Sequence, residues 1–254
     1  MRIVIFQLST KRCLKAGICF CNRKLYFSIF EQIIDRHKRR YACESFNMSM
    51  YFIKTPELLK RIYPNQIWSY PVSEKKIYIT FDDGPTPSIT QTVLKELNKF
   101  SAKATFFVVG RNAEKFPELV DLILNDGHSI GNHTYHHLNG WMTPSKPYLK
   151  DVLKCESIVH SKLFRPPYGR ITRPQTRMMQ RRYKVIMWDV LSGDFDKSIS
   201  KERVLKNVLD NTVPGSIIVF HDSVKAADRM QYALPRVLEF FSARNFSFEK
   251  LTVN

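Results

Sequence analysis

No stretch of the 254-residue sequence approaches the roughly 18 to 20 apolar residues that a membrane-spanning helix needs. Near the N-terminus only Ile3 to Phe6 and the run Ala16 to Phe30 are apolar, and Asn22, Arg23 and Lys24 break the latter. A secretory leader has an unbroken apolar core followed by a small-residue cleavage site. Neither is expected from these residues, which leaves cytoplasmic and cell-envelope locations both open. Paired cysteines are also missing. The total of five is odd, and Cys13, Cys19, Cys21 and Cys43 all precede Met50, so no disulfide framework is expected. Cys19-x-Cys21 has no second pair at metal-site spacing. Acidic residues are few beside basic ones, 23 against 40, giving a formal charge of +17. That excess favours anionic surroundings such as cell-wall polymers or lipid headgroups. No nucleic-acid-binding motif accompanies it, and no nucleic-acid partner is expected. No low-complexity tract or internal sequence repeat is evident.

Residues 1–49 are basic and Cys-rich and show no strand-helix alternation. Three readings compete: an amphipathic membrane-surface segment, a helical cap on the domain, or an extension translated upstream of the natural start. Met48-Ser49-Met50-Tyr51 resembles a natural beginning and favours the last. From residue 50 to residue 254 the chain reads as one domain. Its segment Phe52 to Tyr70 is rich in aromatics and is expected to pack as a short helix and arm on the exterior. Then strands and helices alternate, beginning with Ile77–Phe81, whose β-branched and aromatic residues suit a strand. A helix over 88–100 has Ile89, Val93, Leu94 and Leu97 on one face. Further helices are expected over 113–125, 147–161, 174–181, 201–210 and 230–241, with a loop over 189–196 before the helix over 201–210. About seven strand-helix units with short connections predict a distorted (β/α)7-type barrel of parallel strands. No glycine-rich phosphate fingerprint follows the first strand, which argues against a nucleotide-binding fold.

The chemically versatile residues gather just after strands. Asp82 and Asp83 follow the first, at a Gly84-Pro85 break. His133 and His137 follow the third, Arg165 the fourth, Asp189 and Asp194 the fifth, and His221 the sixth. In a parallel barrel these strand ends share one rim, where such barrels build active sites. Asp-Gly-Pro alone would make an ordinary turn. Two adjacent carboxylates, however, are costly to bury without a cation or donors. His133 and His137 stand four apart, which suits two imidazoles on one side of a helical turn. With Asp83 they would supply three ligands to a metal such as zinc and leave a fourth position open. On spacing alone His136 could replace His137.

Thr80-Phe81-Asp82-Asp83-Gly84-Pro85, His133-Thr134-Tyr135-His136-His137, Arg165-Pro166-Pro167-Tyr168 and Val219-Phe220-His221 resemble, in order, motifs of the polysaccharide deacetylases with a NodB-homology domain. The resemblance covers roughly residues 75–250. It implies a distorted (β/α) barrel and removal of N-acetyl groups from sugar polymers with a divalent metal, zinc above all, cobalt or nickel as substitutes. By position it implies that Asp82 is the general base and that Asp83, His133 and His137 are the metal ligands. Arg165 would hold Asp82, His221 would be the general acid, and the backbone N–H of Tyr168 would stabilise the oxyanion. Val219 replaces a more usual Leu in the pocket for the acetyl methyl, and Trp141 and Trp188 are candidate sugar-binding or pocket-wall aromatics.

One motif departs from the family pattern. In Trp188-Asp189-Val190-Leu191-Ser192-Gly193-Asp194-Phe195, Leu191 stands where an acid commonly tunes the catalytic histidine. Asp189 or Asp194 is left to tune His221. The expected activity is a metal-dependent deacetylase acting on N-acetylglucosamine-containing glycans, peptidoglycan or chitin-like oligosaccharides. The competing expectations are an amidase for a small non-glycan amide and a glycan-binding module without turnover.

Overall fold

The computed structural model describes residues 51–71 and 73–252. The reading of residues 1–49 as a separate extension lies outside the described residues. A short helix α1 (Glu57–Ile62) leads to the central strand β1 (Lys76–Asp82), helix α2 (Ile89–Lys99) and strand β2 (Ala104–Val108). Helices α3 (Gly110–Lys115) and α4 (Pro117–Asn125), strand β3 (Ser129–Asn132), helix α5 (Ser145–Val159) and strand β4 (Leu163–Phe164) follow. A single 3-10 turn (Pro167–Gly169) and helix α6 (Arg173–Gln180) lead to the short strands β5 (Lys184–Val185) and β6 (Val190–Leu191). Helix α7 (Lys201–Asn211), strand β7 (Ile217–His221), helix α8 (Ala227–Ser242) and strand β8 (Ser247–Phe248) complete the order.

The strands form a curled parallel sheet in the order β5-β4-β3-β2-β1-β7-β6, with β8 pairing the start of β1. This is the (β/α)7-type barrel architecture, open at one seam. In β1 the period of two separates the faces. Ile77, Ile79 and Phe81 are fully buried toward the helices, where Phe81 stacks on Phe106 at 4.9 Å. Val93, Leu94 and Leu97 of α2 and Met230, Leu234, Leu238 and Phe241 of α8 complete that layer. Full burial of each such side chain contributes about 1.5–3 kcal/mol. The alternate residues Thr80 and Asp82 face the concave side, where both meet Arg165.

Three local expectations change. The segment read as one helix over 113–125 is two, because Pro117 lacks an N–H and opens a new helix at its first position. The loop expected over 189–196 begins with the short strand β6, which pairs with β7. Residues 52–70 do more than pack on the exterior. Ile67 bridges Ile186 in parallel, while Ser69 bridges Ser216 and Lys54 bridges Val190 antiparallel. The arm thus satisfies the N–H of Leu191 and Met187 and the C=O of Val185, Asp189 and Gly215, which would otherwise stay unpaired.

Candidate active site

Three side chains converge at the C-terminal end of β1 and in the loop after β3. Ligand atoms of Asp83, His133 and His137 all lie within 4.8 Å of one another. Asp83 Oδ1 is 3.0 Å from His137 Nε2 and 3.8 Å from His133 Nε2. Residues 133–137 are not helical, contrary to the turn expected from their spacing. Thr134 and His137 adopt positive φ of 61° and 59°, and this left-handed loop turns both imidazoles toward Asp83. Buried Asn132 holds the loop by accepting from Thr134 N–H (2.9 Å) and donating to the Val152 carbonyl (2.9 Å).

The second bonds of the two histidines decide their free nitrogens. His133 Nδ1 donates to the Arg165 carbonyl at 2.8 Å, leaving the Nε2 lone pair toward Asp83. Burial lowers the His133 pKa to about 4, so the ring stays neutral as a ligand must be. His137 Nδ1 bonds the Tyr168 hydroxyl at 3.1 Å, again leaving Nε2 inward. Burial opposes the charge on Asp83, but the His137 hydrogen bond and the nearby histidines hold its carboxyl well below the usual range. His136 is turned away. Its Nδ1 meets Asp151 at 2.5 Å, and the same carboxylate accepts the backbone N–H of Tyr135 and His136. Two imidazole nitrogens and one carboxylate oxygen, open on their outer side, fit a divalent ion such as zinc.

On one flank lies Asp82, which is 3% exposed, with Oδ2 4.0 Å from His133 Nε2. Arg165, with no exposed surface, lies beneath it. Its Nη1 donates to Asp82 Oδ1 and Thr80 Oγ1 at 2.7 Å each. Nη2 donates to the Met187 carbonyl at 2.9 Å, and the guanidinium stacks on Phe107 at 4.1 Å. Burying a guanidinium is costly unless it is paired and its donors are used, and here both conditions hold.

On the other flank is His221, the register partner of Asp82 across β1 and β7. Its Nδ1 donates to Asp194 Oδ1 at 2.7 Å, and its backbone N–H donates to Asp194 Oδ2 at 2.7 Å. Burial disfavours the imidazolium, yet Asp194, helped by Asp83 and Asp82, raises the His221 pKa to about 9. Gly193, at φ 82°, turns the chain after β6 so that Asp194 swings under His221. Leu191 instead pairs with Val219 and is buried. Asp189, the other candidate for tuning His221, is elsewhere: Lys54 (2.5 Å), Lys60 (2.8 Å) and Ser216 Oγ (2.6 Å) surround it. That carboxylate fastens the N-terminal arm to the sheet.

A family model for polysaccharide deacetylases matches residues 69–185, the stretch that carries Asp82, Asp83, His133, His137 and Arg165. The chain is 38% identical over 163 residues to a peptidoglycan-N-acetylglucosamine deacetylase of Bacillus cereus, covering 61% of this chain and 59% of that one. It is 31% identical to a chitooligosaccharide deacetylase of Azorhizobium caulinodans, covering 70% of this chain and 94% of that one. The chain belongs to the polysaccharide deacetylase family. Among solved structures, a peptidoglycan N-acetylglucosamine deacetylase in complex with 4-naphthalen-1-yl-N-oxidanyl-benzamide superposes with a TM-score of 0.72 at 32% identity. That match covers 78% of this chain and 95% of that one.

The remaining residues singled out in this polysaccharide deacetylase sequence surround the same cleft or support it. Tyr168 sits at φ 60° on the 3-10 turn, 60% exposed, with its ring against His137. Trp188 packs in the small cluster inside the barrel, and its carbonyl accepts from Thr55 Oγ1 at 2.7 Å. Val219 is buried in β7, two residues before His221 and so on the same face. Trp141 lies farther out, 59% exposed.

Three neighbours were given no role by the sequence. Thr80 shares Arg165 with Asp82. Asp151 removes His136 from the ligand set. Asp222, 1% exposed, accepts from Gly84 N–H (3.1 Å) and Thr90 Oγ1 (2.5 Å) beneath the Asp83 turn. Burial pushes the Asp222 carboxyl up to about 7, against the Thr90 hydrogen bond and with the charge of Asp83. Its only sequence signal was a place directly after His221 at a strand end.

Proposed function

We propose that this protein is a metal-dependent deacetylase that hydrolyses N-acetyl groups of N-acetylglucosamine-containing glycans, peptidoglycan or chitin-like oligosaccharides. The observation that carries the reading is the flanking of one Asp-His-His ligand set by Asp82 on one side and His221 on the other. Asp83, His133 and His137 hold the ion, with zinc the best match to their donor set and cobalt or nickel able to replace it. When bound, the ion polarises the amide carbonyl and makes a neighbouring water acidic enough to attack near neutral pH.

Asp82, held by Arg165, takes the proton of the attacking water at its free oxygen. The backbone N–H of Tyr168 donates to the carbonyl oxygen as negative charge builds there. His221, kept protonated by Asp194, gives its Nε2 proton to the departing amine, an otherwise poor leaving group. Val219 and Trp188 wall the space for the acetyl methyl. The +17 formal charge suits an enzyme working among anionic cell-wall polymers or lipid headgroups.

The test is acetate release from N-acetylglucosamine oligomers by metal-loaded protein. Release should stop with a chelator and return with zinc. Asp82→Asn should lose at least about a hundredfold in kcat while keeping its metal. Release from small acetamides but from no glycan would replace this reading with a simple amidase. Retained turnover in Asp82→Asn would remove Asp82 as the base.

A further inference from the structure

Beyond the reacting centre, one exposed feature is built too rigidly to be an ordinary surface loop. Trp141 follows the ligand His137 by four residues, and Arg170 follows Tyr168 by two. The two segments meet outside the cleft. Gly140 N–H donates to the Arg170 carbonyl at 3.1 Å, and Trp141 Nε1 donates to the Ile171 carbonyl at 3.3 Å. Buried Gln175 bonds the carbonyls of Gly140 and Thr143, each at 2.9 Å. A Cβ on Gly140 would come within 2.5 Å of the Arg170 carbonyl oxygen, so this close approach requires glycine.

What this clamp presents is Trp141, a residue 59% exposed. The Arg170 guanidinium lies over the indole ring at 5.2 Å. Among the described residues no carboxylate pairs with Arg170, although the same fold supplies carboxylates to Lys54, Lys60, Lys162 and Arg182. Its donors are therefore available to an outside acceptor. An indole face attracts the C–H face of a sugar ring, and a guanidinium reads a carboxylate by paired N–H donors. Because the loop is already fixed, binding there orders little that is mobile.

We infer that Trp141 and Arg170 form a binding shelf for the sugar next to the one being deacetylated, and that Arg170 selects a carboxylate on that sugar. This rests on the deacetylase reading and deepens it. It makes the preferred substrate an acidic glycan, in which N-acetylglucosamine alternates with its 3-O-lactyl ether, over a neutral chain of N-acetylglucosamine.

The experiment compares two tetrasaccharides with metal-loaded enzyme: neutral N-acetylglucosamine tetramer and the peptide-free alternating tetramer bearing lactyl carboxylates. Wild type should favour the acidic one, and added salt should shrink the preference. Arg170→Gln should lower the acidic-to-neutral ratio of kcat/KM about tenfold, and salt should then have little further effect. Trp141→Ala should raise KM for both. An unchanged ratio in Arg170→Gln, with both substrates turned over, overturns the shelf alone. Acetate release from neither tetramer by the metal-loaded wild type overturns the deacetylase reading, and the shelf with it.

Discussion

Asp194→Asn isolates how the acid side of the cleft works. Asparagine keeps an oxygen for the His221 backbone N–H but removes the negative charge from Nδ1, at 2.7 Å in the wild type. His221 has a pKa of about 9 against an ordinary 6.5, with burial opposing the rise and Asp194 its largest support. Without that charge only Asp83 and Asp82 oppose burial, and the pKa falls toward the ordinary 6.5. At pH 8 the protonated fraction then drops from about 90% toward about 3%, so turnover should fall by up to roughly thirtyfold. The basic limb of the kcat/KM profile for acetate release should move down from near 9 by up to about two pH units.

Stability follows the same group. A raised folded pKa contributes fully below the unfolded value of 6.5, and the contribution is lost as pH rises through about 9. The variant should therefore be less stable on the order of 3 kcal/mol near pH 6 and close to wild type above pH 9. Urea unfolding at both pH values reads this directly. A basic limb that stays in place in Asp194→Asn would refute the tuning of His221 by Asp194, whatever the loss of rate.

Three further outcomes follow from the buried ion pairs. Arg165→Met leaves Asp82 buried without its partner and should cost about 3–5 kcal/mol in thermal or urea unfolding. Arg165→Lys keeps the charge but cannot reach Thr80, Asp82 and the Met187 carbonyl together; it should fold, with kcat down about tenfold or more. Asp189→Asn loosens Lys54, Lys60 and Ser216 and should destabilise the protein by about 1–3 kcal/mol. Burial opposes the low Asp189 pKa that these partners enforce, so this stability is present above the usual carboxylate range and fades as pH falls through the folded value. Zinc affinity and the pH-rate profile should stay as in wild type; a shifted basic limb would reassign Asp189 to His221.

The parts of the site written in short contiguous patterns were the legible ones. Asp82-Asp83 at a strand end and the histidines after β3 carry their chemistry in neighbouring positions, and parallel strand ends must share a rim. The choice between His136 and His137 was not readable from spacing, because Asp151 on α5 makes it and the intervening loop is left-handed. Asp189 and Asp194 likewise read as equals. Their separation depends on the turn at Gly193 and on two lysines in a segment far upstream. That upstream segment read as an exterior arm because bridges at single residues leave no strand-length pattern. Short strands fail for the same reason: β6 contributes two residues to the ladder, too few for an alternation to show.

The register of β1 against β7 explains why the proposed base and acid belong to one rigid unit. Asp82 and His221 are direct partners in a parallel ladder, as are Thr80 and Val219 one layer below. Partnered residues in such a ladder point the same way, so both reach the concave side at the same height. Each is then fixed from beneath by a buried partner of opposite charge, Arg165 for Asp82 and Asp194 for His221. The ligand set lies on the far side of Asp82, across β2, where Phe107 fills the layer under Arg165. A substrate amide held at Asp83, His133 and His137 would therefore meet a base on the near flank and an acid one strand farther on. Neither group needs a loop to close before it faces the scissile bond.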